Sequence, residues 1–187
     1  FLKNKKIWIK PKIFLNEIIK LNLIKDCIKN NKFSKLIVYF SGHSSKESIF
    51  LYKKRIKREV FLNEINKYLK NKIDLFLIID SCYSEKFCFI ENNFNFIQKK
   101  TFILSTNENQ KSLEGFVNFN KKYFKFMKIK NITNNKVVLG IFTYNFCKLL
   151  YNKKIVNIEN ILDINKSPIW NQVKKICNQQ MKIKILE

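Results

Sequence analysis

The sequence predicts an α/β layer fold with a mostly parallel central sheet flanked by helices. Three apolar runs rich in β-branched and aromatic residues, "KLIVYFS" (35–41), "DLFLIID" (74–80) and "KTFILST" (100–106), carry that expectation. They show no apolar/polar alternation, which is the pattern of strands covered on both faces. Between and beside them lie segments with apolar residues at helical spacing, the signature of crossover helices in such a sheet. With 187 residues and 46% apolar content, the chain suffices for one domain over 1–187 with a sizeable core.

The elements follow in order. "PKIFLNEIIKLNLIKDCIKN" (11–30) places Ile13, Phe14, Glu17, Ile18 and Leu21 at helical spacing, with Pro11 suited to a first turn. "KLIVYFS" reads as a buried strand and "SIFLY" (48–52) as a short one. "EVFLNEINKYLKN" (59–71) repeats Phe61, Leu62, Ile65 and Leu69 along one helical face. "DLFLIID" and "KTFILST" are the next two strands. Residues 107–136 are long, polar and weakly patterned, and read as a loop region close to the site developed below. "VVLGIFTYNFCKLLYN" (137–152) reads as a helix, "NIENILDI" (157–164) as a short helix, and "MKIKILE" (181–187) as a terminal strand.

Composition narrows the function. The formal charge is +23 (37 basic, 14 acidic), which invites a nucleic-acid reading. Of the basic residues 35 are Lys, and only Arg55 and Arg58 are Arg; Ala is absent, and Gly and Pro number three and two. That bias toward Lys, Asn, Ile and Phe is what A+T-rich coding produces, and the Lys are dispersed rather than blocked. The excess is read as solvated surface, with no nucleic-acid partner. No run of 18 apolar residues predicts a transmembrane segment, and "FLKNKKIWIK" is unlike a signal peptide. A start at Phe1 predicts a cut from a longer chain. The five Cys contain no C-x-x-C pair, and with one His they predict no metal site and no cofactor. Cys27, Cys147 and Cys177 fall in helical apolar patterns, where a small buried hydrophobe is expected.

The only histidine, His43, closes the run "LIVYFSGH", and Cys82 closes "LFLIIDSC". In parallel sheets sites gather at the carboxyl ends of strands, so two neighbouring strands would deliver both side chains to one edge. An imidazole promotes ionisation of a nearby thiol and later protonates a leaving amine. The oxyanion that forms needs backbone N–H donors, typically from the nucleophile's own turn and from the residue after the His. Gly42 is expected to let the chain turn sharply before His43. A lone His or a lone strand-end Cys is usually structural; the pair in matched positions, each followed by Ser, points to a dyad.

Strand-Ser-Gly-His followed by strand-Asp-Ser-Cys resembles the caspase-like cysteine peptidases, in which His precedes Cys and each follows a parallel strand. The separation is 82 − 43 = 39 residues, shorter than the roughly 50-residue spacing of caspases. It looks like the legumain branch and its relatives, the catalytic subunits of the GPI-anchor transamidase. "LIVYFSGHSSKESIFLY", "EVFLNEINKYLKNKIDLFLIIDSCYS", "TFILSTNENQKSLE" and "GIFTYNFCKLL" are each similar to corresponding transamidase segments. Legumains carry an Asp before the His and Glu-Ala before the Cys, where this chain has Gly42 and Asp80-Ser81.

The resemblance implies a caspase-like three-layer sandwich and a thioester mechanism, with His43 and Cys82 as the catalytic pair. It places the Ser44 and Cys82 N–H groups in the oxyanion hole, and Ser41, Gly42 and Asp80 beside the dyad as pocket residues. It implies protein substrates with a C-terminal signal, a GPI lipid, further transamidase subunits and an endoplasmic reticulum membrane complex. The family's first strand is not visible in this chain. Ser44 stands where the family has Gly, as does Ser84 two positions after the Cys; a Ser does not readily adopt positive φ, so both departures predict a compromised site. The alternatives are a metacaspase- or legumain-like endopeptidase and a catalytically inactive relative.

Overall fold

The computed structural model describes residues 34–51, 54–69, 71–89, 96–118, 136–152, 171, 179 and 182–186. The expected helices over 11–30 and 157–164, and Cys27 and Cys177, lie outside these residues.

The central sheet has four strands in the order β1-β4-β5-β8. β1 (Lys35–Ser41), β4 (Ile73–Asp80) and β5 (Ile97–Leu104) run parallel, and β8 (Lys182–Leu186) pairs with β5 antiparallel. The expected mixed α/β architecture with a mostly parallel sheet is therefore present. β4 is central, and seven of its eight residues are buried, which explains its unbroken apolar run. β1 departs from the expected buried strand: it alternates, with Ile37 43% and Tyr39 46% exposed while Phe40 is buried. It is the outer strand of the described sheet, and its face carrying Ile37 and Tyr39 is only partly covered among the described residues, the Tyr39 hydroxyl meeting that of Thr143.

Two small antiparallel hairpins flank the sheet. β2 (Ser48–Leu51) pairs with β3 (Lys54–Lys57), and β6 (Glu114–Asn118) with β7 (Lys136–Gly140). Two helices follow the hairpins, α1 (Arg58–Lys67) after β3 and α2 (Ile141–Asn152) after β7. The stretch expected to be helical from Val137 is thus strand as far as Gly140, and residues 114–118 of the expected loop are strand as well. β-branched Val137 and Val138 suit the pleat, and helical periodicity begins only at Ile141.

The helices cover opposite faces. Phe61, Leu62 and Ile65 of α1 pack with Leu75, Leu77 and Ile79 of β4, with Ile49 and Leu51 of β2, and with Phe87. Each such side chain contributes roughly 1.5–3 kcal/mol on full burial. Asp80 follows Ile79, so its side chain leaves the other face, where Thr143 of α2 meets it. No helix among the described residues is long and apolar enough to cross a membrane.

Candidate active site

β1 and β4 are paired in register, with Ser41 opposite Asp80 at their last residues. Both chains then leave the sheet at the same edge. A cleft of about 180 Å³ opens there, lined by Ser41, Gly42, His43, Asp80, Cys82, Ser112, Glu114 and Gly140. The parallel pairing brings together what 39 residues of sequence separate: His43, exposed, and Cys82, half-buried, share one wall. The expected pocket residues Ser41, Gly42 and Asp80 line the same cleft.

The turn that carries Cys82 is tightly held. Tyr83, directly after it, has φ 55° and is the only non-glycine residue at positive φ among those described. Left-handed backbone costs a residue with a Cβ roughly 1–2 kcal/mol, so the surroundings must enforce it. They do so through the end of β5. The Ser84 N–H donates to Thr106 Oγ1 at 2.9 Å, the Thr106 N–H donates to Ser84 Oγ at 2.9 Å, and the Ser81 N–H donates to Ser105 Oγ at 3.2 Å. The Tyr83 N–H donates to the Gln110 carbonyl at 2.8 Å. A short 3-10 turn (Ser84–Phe89) continues the chain. Ser84 is fully buried in this network, so its hydroxyl replaces, with bonds of its own, the glycine expected there. The left-handed position is Tyr83, one residue earlier.

Ser44 is also no defect. It sits opposite Ile49 in an isolated antiparallel bridge whose bonds run from the Ser45 N–H to the Ser48 carbonyl (2.8 Å) and from the Phe50 N–H to the His43 carbonyl (3.0 Å). Ser44 is thus a non-hydrogen-bonded pair member, and its N–H points out of the ladder. Its φ is not positive, so a Cβ is tolerated, and its hydroxyl donates to the Cys82 carbonyl. The Ser44 side chain thus ties the His43 loop to the Cys82 turn.

The chain bends at Gly42, as expected, without a positive φ. A Cβ there would stand 3.3 Å from Phe40 Cζ, so close approach to that ring is what favours glycine.

Asp80 lines the cleft but is engaged. Its carboxylate accepts from the Thr143 N–H (3.1 Å), the Thr143 hydroxyl and the Ser112 hydroxyl (2.8 Å). Burial pushes its carboxyl above the ordinary range, partly offset by these donors. The Thr143 hydroxyl also meets the Tyr39 hydroxyl at 2.6 Å. Tyr39 exposes one side of its ring, but its hydroxyl end is enclosed, and burial pushes that phenol up to about 12.

Sequence reasoning missed several residues. The Ser112 N–H donates to Cys82 Sγ at 3.3 Å. Ser112 and Glu114 fall in the loop region expected near the site, though neither stood out by type. Gly140, one of three glycines, leaves the space that the Asp80 carboxylate fills. Arg58, one of two arginines among 37 basic residues, is buried behind the Cys82 turn. Rarity was the available signal for both.

The other described thiols lie apart from this chemistry. Burial pushes Cys88 up to about 12 and Cys147 up to about 11, so both remain protonated at neutral pH. Among the described residues no group of three His, Cys, Asp or Glu side chains could hold a metal ion. The chain matches no protein-family model, no curated protein and no solved structure.

Proposed function

We propose that the chain is a cysteine-dependent transamidase of the caspase-like class, similar to the catalytic subunit of the GPI-anchor transamidase. One observation carries this reading: His43 and Cys82 line a single cleft at the carboxyl ends of two adjacent parallel strands. Cys82 Sγ attacks the substrate carbonyl while His43 accepts the thiol proton. The tetrahedral oxyanion is held by the Cys82 and Ser44 N–H groups. Collapse expels the signal peptide, whose amine takes the proton from His43, and leaves a thioester on Cys82. The amine of a GPI lipid then attacks the thioester, His43 takes its proton, and the amide forms as the Cys82 thiol is restored. The partners in this reading are protein substrates with a C-terminal signal, the lipid and further subunits, in an endoplasmic reticulum membrane complex.

A second reading has its own support. Glu114 joins Asp80 in the cleft, and among the described residues no Lys or Arg lines it, in a chain of charge +23. Two carboxyl groups beside the nucleophile suit a metacaspase-like endopeptidase that cleaves after Lys or Arg, with water resolving the thioester.

The test begins with iodoacetamide. Cys82 alkylation at neutral pH, followed by peptide mass mapping, falls at least about tenfold in His43→Ala if the imidazole activates the thiol. Equal rates in the two proteins refute the dyad. Peptides with a small residue or a Lys at the cleaved position, incubated with and without hydroxylamine, then separate the readings. A hydroxamate from the small-residue peptide supports the transamidase; hydrolysis confined to the Lys peptide supports the endopeptidase; Cys82→Ala abolishes both.

A further inference from the structure

We propose that Arg58 is a positioning residue whose guanidinium fork holds the His43 loop against the Cys82 turn, an inference that rests on the dyad reading above. Arg58 opens α1 and is 2% exposed. Its Nη1 donates to the Lys46 carbonyl at 2.8 Å. Its Nη2 donates to the Ser45 carbonyl and, at 3.3 Å, to the Cys82 carbonyl. Its own backbone N–H donates to the Glu47 carbonyl at 3.1 Å. One side chain therefore grips two carbonyls just after His43 and the carbonyl of the nucleophile itself.

The site is unusual for a buried cation. Among the described residues no carboxylate pairs with Arg58, and its Nε has no hydrogen-bond partner. Among the described residues its charge meets carbonyl oxygens and the face of Phe87, 4.9 Å from the guanidinium carbon to the ring centroid. Burial lowers its proton affinity, to about 10, while the nearby Cys82 sulfur acts in the opposite sense. A buried cation without an anionic partner is expensive, and purely structural burial would be served better by an apolar side chain. The carbonyls it grips belong to the His43 loop and the Cys82 turn.

The composition points the same way. Lys fills 35 of 37 basic positions, and the two exceptions lie three residues apart, Arg55 in β3 and Arg58 at the start of α1. Arg55 Nε donates to Ser48 Oγ at 3.1 Å, and its fork reaches Glu47 at 3.5 Å. A guanidinium presents a rigid planar set of donors that reaches several acceptors at once; an ammonium is a point donor that cannot span the same carbonyls. Ser44 supplies the second tie by donating to the same Cys82 carbonyl. His43 thus sits on a loop pinned on its C-terminal side to the turn it must serve.

The test uses Arg58→Lys, which keeps the charge and most of the volume, with Arg58→Met beside it and Arg55→Met as an exposed control. Thermal melts establish that each variant folds, and the iodoacetamide rate at Cys82 is measured for each. Arg58→Lys is expected to lose between about tenfold and a hundredfold, the scale on which misplaced reacting groups lose rate. Arg55→Met is expected to match the wild type. In a His43→Ala background Arg58→Lys should cause no further loss, because Arg58 acts through His43 and the two changes are then not additive. Wild-type reactivity in folded Arg58→Lys overturns the proposal, as does an equal loss in the His43→Ala background. The reading it rests on fails separately, if His43→Ala alone leaves the rate unchanged.

Discussion

Three glycines give a graded test of the packing around the site, and Gly140→Ala is its sharpest member. A Cβ at Gly140 would lie 2.0 Å from Asp80 Oδ2 and 2.8 Å from Asp80 Cγ. No real pair of atoms sits so close, so the carboxylate must move. It is held by the Thr143 N–H at 3.1 Å, the Thr143 hydroxyl and the Ser112 hydroxyl at 2.8 Å, all from α2 and the segment before β6. A hydrogen bond to a charged acceptor is worth about 1.5–3 kcal/mol, and a stranded buried donor adds to the loss. Breaking one or two of these bonds destabilises the fold by about 3 kcal/mol. For a domain of this size that lowers Tm by about 6–12 °C. Gly42→Ala meets only the edge of Phe40 at 3.3 Å, which must give by a few tenths of an ångström. That overpacking, of about 1 kcal/mol, roughly offsets the entropy gained by replacing glycine. Gly115→Ala finds Ile141 Cδ1 at 3.4 Å, ordinary contact, and is expected to be neutral or stabilising by about 0.5 kcal/mol. Urea and thermal unfolding of the three variants read the series. A Gly140→Ala protein melting within about 2 °C of wild type, or no more destabilised than Gly42→Ala, refutes the placement of the Asp80 carboxylate against β7.

Ser44→Gly removes the hydroxyl that donates to the Cys82 carbonyl and supplies a conformational freedom the position does not use. It is expected to cost about 1–2 kcal/mol in urea unfolding, and a stabilised variant would return Ser44 to the status of a poor substitute for glycine. The buried Glu85 carboxylate accepts from Lys182 Nζ at 2.7 and 2.8 Å and pairs with Lys184 Nζ at 2.7 Å. Burial pushes its carboxyl up, but the two lysines outweigh that and hold it below the ordinary range. Its folded pKa being depressed, it contributes stability that is present above its unfolded pKa of about 4.3 and lost as pH falls through the lower folded value. Glu85→Gln should therefore flatten the acid limb of a stability-versus-pH curve below about pH 4.3, and an unchanged limb refutes the role of this pair. Cys88→Ala should leave iodoacetamide reactivity at Cys82 unchanged, and inactivation by that change would mean the wrong thiol has been chosen.

The parallel core, the two strand ends and the arrival of His43 and Cys82 at one end of the sheet were legible in the chain itself. Unbroken apolar runs in "DLFLIID" and "KTFILST" mark strands covered on both faces, and a residue that follows a parallel strand emerges at a fixed edge of the sheet. That is local information: β4 buries seven of its eight residues, and β5 its last four, Thr101–Leu104. What tertiary structure alone decided is how the strand ends are held. Tyr83 adopts left-handed backbone in a turn bound by Ser105, Thr106 and Gln110, more than 20 residues along the chain, whereas Gly42 and Ser44 bond to the Asp80 and Cys82 carbonyls and do not. The helical start at Ile141 rather than Val137 was settled by pairing with β6, which no local period announces. Ser112 carries no motif, and Arg58 only its rarity among lysines. What each holds becomes visible only when folding sets its donors against the sulfur or the carbonyl of Cys82, because hydrogen bonds depend on distance in space and sequence pattern records only distance along the chain.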